Sequence, residues 1–111
     1  LTTIPTDEGQ SALIRRLHHI LKPGGIIYIS DYWLQKDMRN VTRYDMFKKK
    51  YSAYGTFELP EGAVVRHHEK SWIISLLKDF NTVELWDITV TTMNGNSARG
   101  FQFFGTKRRL T

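Results

Sequence analysis

The sequence contains no cysteine. This absence excludes a disulfide framework, a thiolate metal site and a cysteine nucleophile. No apolar run approaches the roughly 18 residues that a transmembrane helix needs, and the amino-terminal residues show no basic region followed by an apolar signal segment. These absences predict a soluble, intracellular, cytoplasmic protein that does not enter a membrane.

The size of the chain allows one small domain and no more. Its 111 residues are 41% hydrophobic and 13% aromatic, which is enough for a single core. The first residue is Leu1 rather than Met, so we interpret the sequence as a piece of a longer protein.

Positive charge is concentrated in one stretch of the chain. The net charge is +5, and six basic side chains face only two acidic ones between Lys36 and Lys50. Tyr44 and Phe47 lie within this stretch at helical spacing. A basic face with exposed rings is typical of RNA binding, whereas buried rings under solvated lysines are typical of ordinary packing.

Residues 21–32 organise the rest of the chain. Pro23 cannot continue a helix and Gly24-Gly25 permits a sharp reversal, so a preceding helix, capped by Thr6, must end near Leu21. The apolar residues that follow predict a strand covered on both faces, as in a parallel sheet. Asp31 lies just past its carboxyl end.

The remaining elements follow from periodicity and turn residues. We expect a helix over residues 42–54, capped by Asn40 or Thr42 and ended by Gly55, and then an irregular loop to His68. A further helix over residues 69–79 ends before Asn81. Residues 82–92 and 101–107 predict an antiparallel hairpin with a bulge near Trp86.

This order resembles the C-terminal half of a class I S-adenosylmethionine (SAM)-dependent methyltransferase, in which Leu21-Lys22-Pro23-Gly24-Gly25 would precede the fifth strand. The resemblance implies an α/β fold: the second half of a Rossmann-like sheet, whose last strand is antiparallel. Residues 1–111 would then be a partial methyltransferase domain. Within it, residues 31–68 would be an inserted segment on the substrate side.

The resemblance also implies that SAM is bound mainly by a missing N-terminal half. The family's cofactor loop is glycine-rich and follows a strand, whereas Gly24-Gly25 precedes one. We therefore expect this piece to be inactive alone. Its sheet would have an exposed edge, which would pair with the missing half or associate with another copy.

The substrate side is predicted at the carboxyl end of the first strand. Asp31 is the candidate catalytic residue, because a carboxylate there would orient a nucleophile or accept its proton. Tyr32 and Trp33 would stack on the acceptor or shield the sulfonium. The alternative for Asp31 is a loop aspartate that caps backbone amides.

The sequence is more loosely similar to transfer RNA 3-methylcytidine methyltransferases, through Asp31-Tyr32, Glu61-Gly62 and an asparagine before the last strand. Ser30 stands where those enzymes typically carry an arginine. The similarity implies that the substrate or its phosphates contact the three residues Arg43, Arg66 and Asn94. Tyr44 and His67 belong to the inserted segment and are further candidates for substrate binding.

These features lead to one functional hypothesis with two alternatives. The hypothesis is methyl transfer from SAM to a nucleophilic acceptor. The looser similarity implies that this acceptor is an RNA. The first alternative is a small-molecule acceptor, and the second is a non-catalytic basic module that binds RNA or protein. No metal site is predicted, since the adjacent His67 and His68 point in different directions.

Overall fold

The computed structural model describes residues 1–92 and 95–108. Its helices in this range are α1 (Asp7–Ile20), α2 (Met38–Phe47) and α3 (Lys70–Leu76). Its strands are β1 (Ile26–Tyr32), β2 (Thr56–Glu58), β3 (Val64–Arg66), β4 (Phe80–Thr91) and β5 (Ser97–Lys107). The fold is therefore α/β, as predicted.

Strands β1, β5 and β4 form the main sheet in that spatial order. The last strand, β5, is antiparallel to both neighbours, so β1 and β4 run parallel to each other on either side of it. The predicted antiparallel pairing of the last two strands is confirmed. Strands β2 and β3 form a separate antiparallel hairpin between α2 and α3.

The connection from α1 to β1 has the predicted form. The hydroxyl of Thr6 accepts a hydrogen bond from the backbone N–H of Gly9 at 3.0 Å, which caps the start of α1. Leu21 is extended and caps its end. Gly24 has a φ of 80°, a conformation that few residues other than glycine adopt, and it reverses the chain into β1.

The core lies on one face of the main sheet, which corrects the prediction that β1 is covered on both faces. Ile27 is buried, but Ile26 and Tyr28 are 66% and 49% exposed. Helices α1 and α3 contribute Ile14 and Ile73 to the face that Ile27 shares. No described element covers the opposite face, so the residues of β1 alternate between buried and exposed.

The second helix is shorter and begins earlier than predicted. Asp37, rather than Asn40 or Thr42, caps α2 by accepting a hydrogen bond from the N–H of Asn40 at 3.2 Å. The helix ends at Phe47, before Tyr51 and Tyr54. The prediction that Gly55 ends this helix is wrong, because Gly55 instead leads into β2 with a φ of 103°.

The bulge in β4 lies at Val83, not near Trp86. Thr82 and Glu84 pair with consecutive residues of β5, so Val83 is the extra residue. The bulge lets Phe80 and Leu85 both pack in the core despite their odd spacing. The remaining boundaries also differ: α3 ends at Leu76, Asn81 lies within β4, and β5 begins at Ser97.

We predict that Ile73→Ala destabilises the protein by about 2–4 kcal/mol, because Ile73 is fully buried and its truncation leaves a cavity. The matched control is Ile74→Ala on the same helix. Ile74 is 54% exposed, so its truncation should cost less than about 1 kcal/mol. Urea unfolding measures both values, and equal losses would contradict the one-sided core.

Candidate functional site

A cleft of about 960 Å³ opens at the carboxyl end of β1. Tyr32, the last residue of β1, forms part of its wall. Helix α2 contributes Arg43, the β2–β3 hairpin contributes Phe57, and the start of β5 contributes Ala98. His67, the residue after β3, completes this set. Ligands bind at such strand ends in α/β sheets, so we treat the cleft as the candidate site.

A short hydrogen bond joins Tyr44 to His67 beside the cleft. The Tyr44 hydroxyl lies 2.6 Å from Nδ1 of His67, and it accepts a hydrogen bond from the backbone N–H of Gln35 at 3.0 Å. Among the described residues, Nδ1 is the only acceptor within reach of the Tyr44 hydroxyl proton, so we assign that proton to the bond with Nδ1. The proton of a neutral His67 ring is therefore on Nε2. Within the described residues, Nε2 makes no hydrogen bond.

Burial keeps both members of this pair neutral. Desolvation, with a smaller effect of the Arg43 charge, lowers the pKa of His67 to about 4. Desolvation raises the pKa of Tyr44 to about 12. Near neutral pH, His67 is thus an N–H donor at Nε2 and a weak base.

Arg43 is the more buried of two arginines in the cleft wall, the other being Arg39. The guanidinium of Arg43 lies 4.1 Å from the centroid of the Phe57 ring, and one Nη donates to Oδ1 of Asn40. Its Nε is buried without a hydrogen-bond partner, and no carboxylate among the described residues forms an ion pair with it. Burial lowers its pKa, but a guanidinium stays protonated.

Two polar residues that the sequence did not single out as site residues hold this arrangement together. Asn40 donates to Oδ1 of Asp37 at 2.8 Å while it accepts from Arg43, which orients the guanidinium. The buried Gln35 exchanges two hydrogen bonds with the backbone of Arg99, at 2.7 and 2.9 Å. Their only trace in the sequence is a polar residue near apolar neighbours, which does not distinguish them from surface residues.

Asp31, the predicted catalytic residue, does not line the cleft. Its carboxylate is 5% exposed and accepts hydrogen bonds from the N–H and hydroxyl of Thr2 and from the N–H of Tyr32. The nitrogen of Leu1 lies 3.3 Å away. This geometry matches the alternative role of capping backbone amides, and it holds Thr2 at the cleft wall.

Trp33 and Arg66 also lie away from the cleft. Trp33 packs in the core at 4.3 Å from the Phe101 ring, and its indole N–H donates to Asp87 at 2.8 Å. Arg66 forms a 2.8 Å ion pair with Asp7 on α1. The structure thus gathers four of the predicted residues, Tyr32, Arg43, Tyr44 and His67. Asn94 falls outside the described residues.

His68 points away from His67 and has a structural role. Its Nδ1 donates to the carbonyl of Tyr32 at 3.0 Å, and its Nε2 accepts from the side-chain amide of Gln10 at 3.0 Å. Trp72 donates to the same amide side chain at 2.7 Å. The adjacent histidines therefore contact the cleft and the α1 side of the core respectively.

The fold resembles that of a solved structure. The crystal structure of a SAM-dependent methyltransferase from Methanosarcina mazei superposes with a TM-score of 0.88 and 22% sequence identity. The alignment covers 99% of this chain and 56% of that one. This chain shares the fold of a SAM-dependent methyltransferase. It spans little more than half of that protein's length. No family model and no curated protein matches the sequence.

The described residues do not by themselves fit a SAM site. A glycine-rich cofactor loop offers free backbone N–H groups beyond the carboxyl end of a strand. Gly24 and Gly25 lie at the amino end of β1, where their N–H groups donate to Lys107 at 2.8 Å and Lys22 at 2.7 Å. The N–H groups of this glycine pair are therefore already engaged and are not free to bind a cofactor.

The described part of the chain contains neither a membrane-spanning helix nor a metal-binding cluster. None of its helices combines the length and apolar character needed to cross a bilayer. No group of three or more His, Asp or Glu side chains in this part is placed to hold a metal ion.

We predict that Tyr44→Phe destabilises the protein by about 1–3 kcal/mol, because it leaves Nδ1 of His67 and the N–H of Gln35 buried without a partner. The control is Tyr54→Phe, whose lost hydroxyl lies on the surface at 3.2 Å from Asp45. It should cost less than about 0.5 kcal/mol. Urea unfolding measures both, and equal small losses would contradict a buried pair.

We predict that stability falls as pH drops from about 6.5 to about 4. In this range the unfolded chain protonates His67 and the folded chain does not, so His67 costs up to about 3 kcal/mol at the acid end. Burial also lowers the pKa of His68, which adds a loss of the same sign. Urea unfolding at several pH values should show a shallower slope for His67→Gln. His19→Gln, an exposed control, should keep the wild-type slope.

Proposed function

We propose that this chain forms the acceptor side of a SAM-dependent methyltransferase. The observation that carries the proposal is the cleft at the carboxyl end of β1, in a fold shared with a methyltransferase structure. Such strand ends are where α/β enzymes bind their ligands. A shared fold alone does not determine an activity, so the proposed activity goes beyond the structural similarity.

We further propose that the sheet is the second half of a Rossmann-like sheet. The position of β5, antiparallel between the mutually parallel β1 and β4, supports this assignment. So does the opposite sheet face, where Ile26, Tyr28 and Trp86 are exposed. In this proposal, a preceding part of the same chain pairs with the free edge of β1, covers that face and carries the SAM site.

Residues 31–68 then act as the inserted segment on the acceptor side. Helix α2 and the β2–β3 hairpin both lie within this segment and supply most of the cleft wall. Asp31 begins the segment and holds Thr2 against it, so we assign Asp31 a positioning role rather than direct contact with the acceptor.

The proposed reaction needs alignment more than acid–base chemistry. SAM, when bound, supplies an already activated methyl group. Arg43, Phe57 and Tyr32 surround the acceptor and fix its orientation, which is the main contribution an enzyme makes to such a transfer. His67 donates through Nε2 and is too weak a base to take a proton from a neutral acceptor near pH 7.

A small-molecule acceptor has more support than RNA. Arg43 is half-buried in the cleft, and Lys50 pairs with Glu58 at 2.6 Å. Within the basic stretch, the exposed Lys48 and Lys49 favour an RNA acceptor. An RNA acceptor would also agree with the similarity to transfer RNA 3-methylcytidine enzymes. Lysines on a helix end are also common as solvated surface, so they carry less weight than an enclosed arginine.

The proposal predicts that the complete protein binds S-adenosylhomocysteine, the product of the cofactor, at one site. Isothermal titration calorimetry measures this binding, with adenosine monophosphate as a control that lacks the amino-acid portion. A saturable signal for S-adenosylhomocysteine alone is the expected result. If the folded complete protein binds neither compound, the methyltransferase proposal fails and a non-catalytic binding module becomes the better interpretation.

A further inference from the structure

The guanidinium of Arg43 lies in the cleft wall without an acidic partner among the described residues. Its face is covered by the Phe57 ring at 4.1 Å, and its contact with Asn40 occupies one end of the fork. Its Nε is buried and unpaired. Arg43 is half-buried, and partial desolvation of a cation without an ion pair favours contact with an anion. The guanidinium of Arg43 therefore has a donor at Nε that a ligand can use.

The acidic side chains near Arg43 are already engaged or lie at the rim. Asp37 reaches Arg43 only through Asn40, to whose side-chain amide it is hydrogen-bonded at 2.8 Å. Glu58 accepts from Lys50 and from the hydroxyl of Tyr51, at 2.6 and 2.7 Å. Glu61 also lines the cleft but is exposed. The positive charge of Arg43 thus remains available to a ligand.

The other polar groups beside Arg43 strengthen its preference for anions. His67 lines the same cleft with its proton on Nε2, since Nδ1 accepts from Tyr44. Arg39 lines the cleft as well, and its charge acts on Arg43. A neutral N–H donor and two cations in the wall of one cleft match the oxygens of a carboxylate or a phosphate.

We propose that the cleft binds a small acceptor through an anionic group, a carboxylate or a phosphate, held by Arg43 with Nε2–H of His67 as a second donor. That the bound molecule is a methyl acceptor rests on the proposed function, but the anion site itself does not require SAM. The apolar wall formed by Phe57, Val65 and Ala98 contacts the uncharged part of the molecule. The cleft volume of about 960 Å³ accommodates a compact organic anion.

The test uses three probes of one shape: benzoate, phenyl phosphate and the neutral benzamide. Each is titrated into the complete protein by calorimetry, with and without S-adenosylhomocysteine. We expect at least one anion to bind about tenfold more tightly than benzamide. The ratio between benzoate and phenyl phosphate distinguishes a carboxylate site from a phosphate site.

Two variants of equal charge change locate the site. Arg43→Gln should weaken anion binding about tenfold or more and leave benzamide unchanged. Lys49→Gln removes one charge from an exposed position after the same helix and should leave all three affinities within about twofold. If Arg43→Gln does not fold, Arg43→Lys keeps the charge without the planar fork and should still weaken binding measurably.

Three results would overturn the inference. The first is equal affinity for benzoate, phenyl phosphate and benzamide, and the second is equal behaviour of the two glutamine variants. The third is displacement of benzoate by an RNA oligonucleotide whose affinity both variants reduce equally. That result would indicate a nucleic-acid surface instead. Loss of S-adenosylhomocysteine binding with anion binding intact would contradict the proposed function alone.

Discussion

The parallel bridge between Trp33 and His68 is the contact on which the site depends. The N–H of Leu34 donates to His68 at 2.8 Å, and the N–H of His68 donates to Tyr32 at 3.1 Å. These bonds join the point where the chain leaves β1 to the point where it returns before α3. The segment between them is therefore a closed loop whose ends are fixed to the core. Adjacent residues at the return point in extended backbone face opposite sides, so His67 faces the cleft while His68 faces α1.

Burial at this junction also sets the chemistry of the cleft. Both histidines are neutral because desolvation lowers their pKa values, and each has a tautomer fixed by a specific partner. Tyr44 fixes the proton of His67 on Nε2, and the carbonyl of Tyr32 fixes that of His68 on Nδ1. A cleft lined by Arg43, Arg39 and a neutral N–H donor is suited to hold an anion. It is poorly suited to remove a proton.

The one-sided core has a separate consequence. Helices α1 and α3 cover the same face of the sheet, so the apolar residues Ile26, Tyr28 and Trp86 remain exposed on the other. Single exposed apolar residues are ordinary, but these three share one sheet face, and two of them lie on the edge strand β1. Under the proposed function, a longer chain that continues the sheet would cover this face.

The sequence by itself determined the elements whose rules are local. Pro23 and Gly24 end α1 and turn the chain, Thr6 caps α1, and alternation in the last two strands predicts their pairing, because each rule depends on residues close in the chain. It also indicated the edge of the sheet at which the cleft lies. Only the tertiary structure decided which side chains reach that edge. Asp31 and Trp33 are adjacent to it in sequence, yet hydrogen bonds and core packing turn them away.

Long-range contacts decided the rest. The bulge lies at Val83 rather than near Trp86, and it lets both Phe80 and Leu85 reach the core. The alternation of apolar residues within β4 does not reveal this position. Likewise, Arg43 and His67 are 24 residues apart in sequence, and nothing local relates them. Both line the cleft, and the Trp33–His68 bridge closes the loop that carries them. Closure of a loop is a property of the folded chain rather than of any stretch of its sequence.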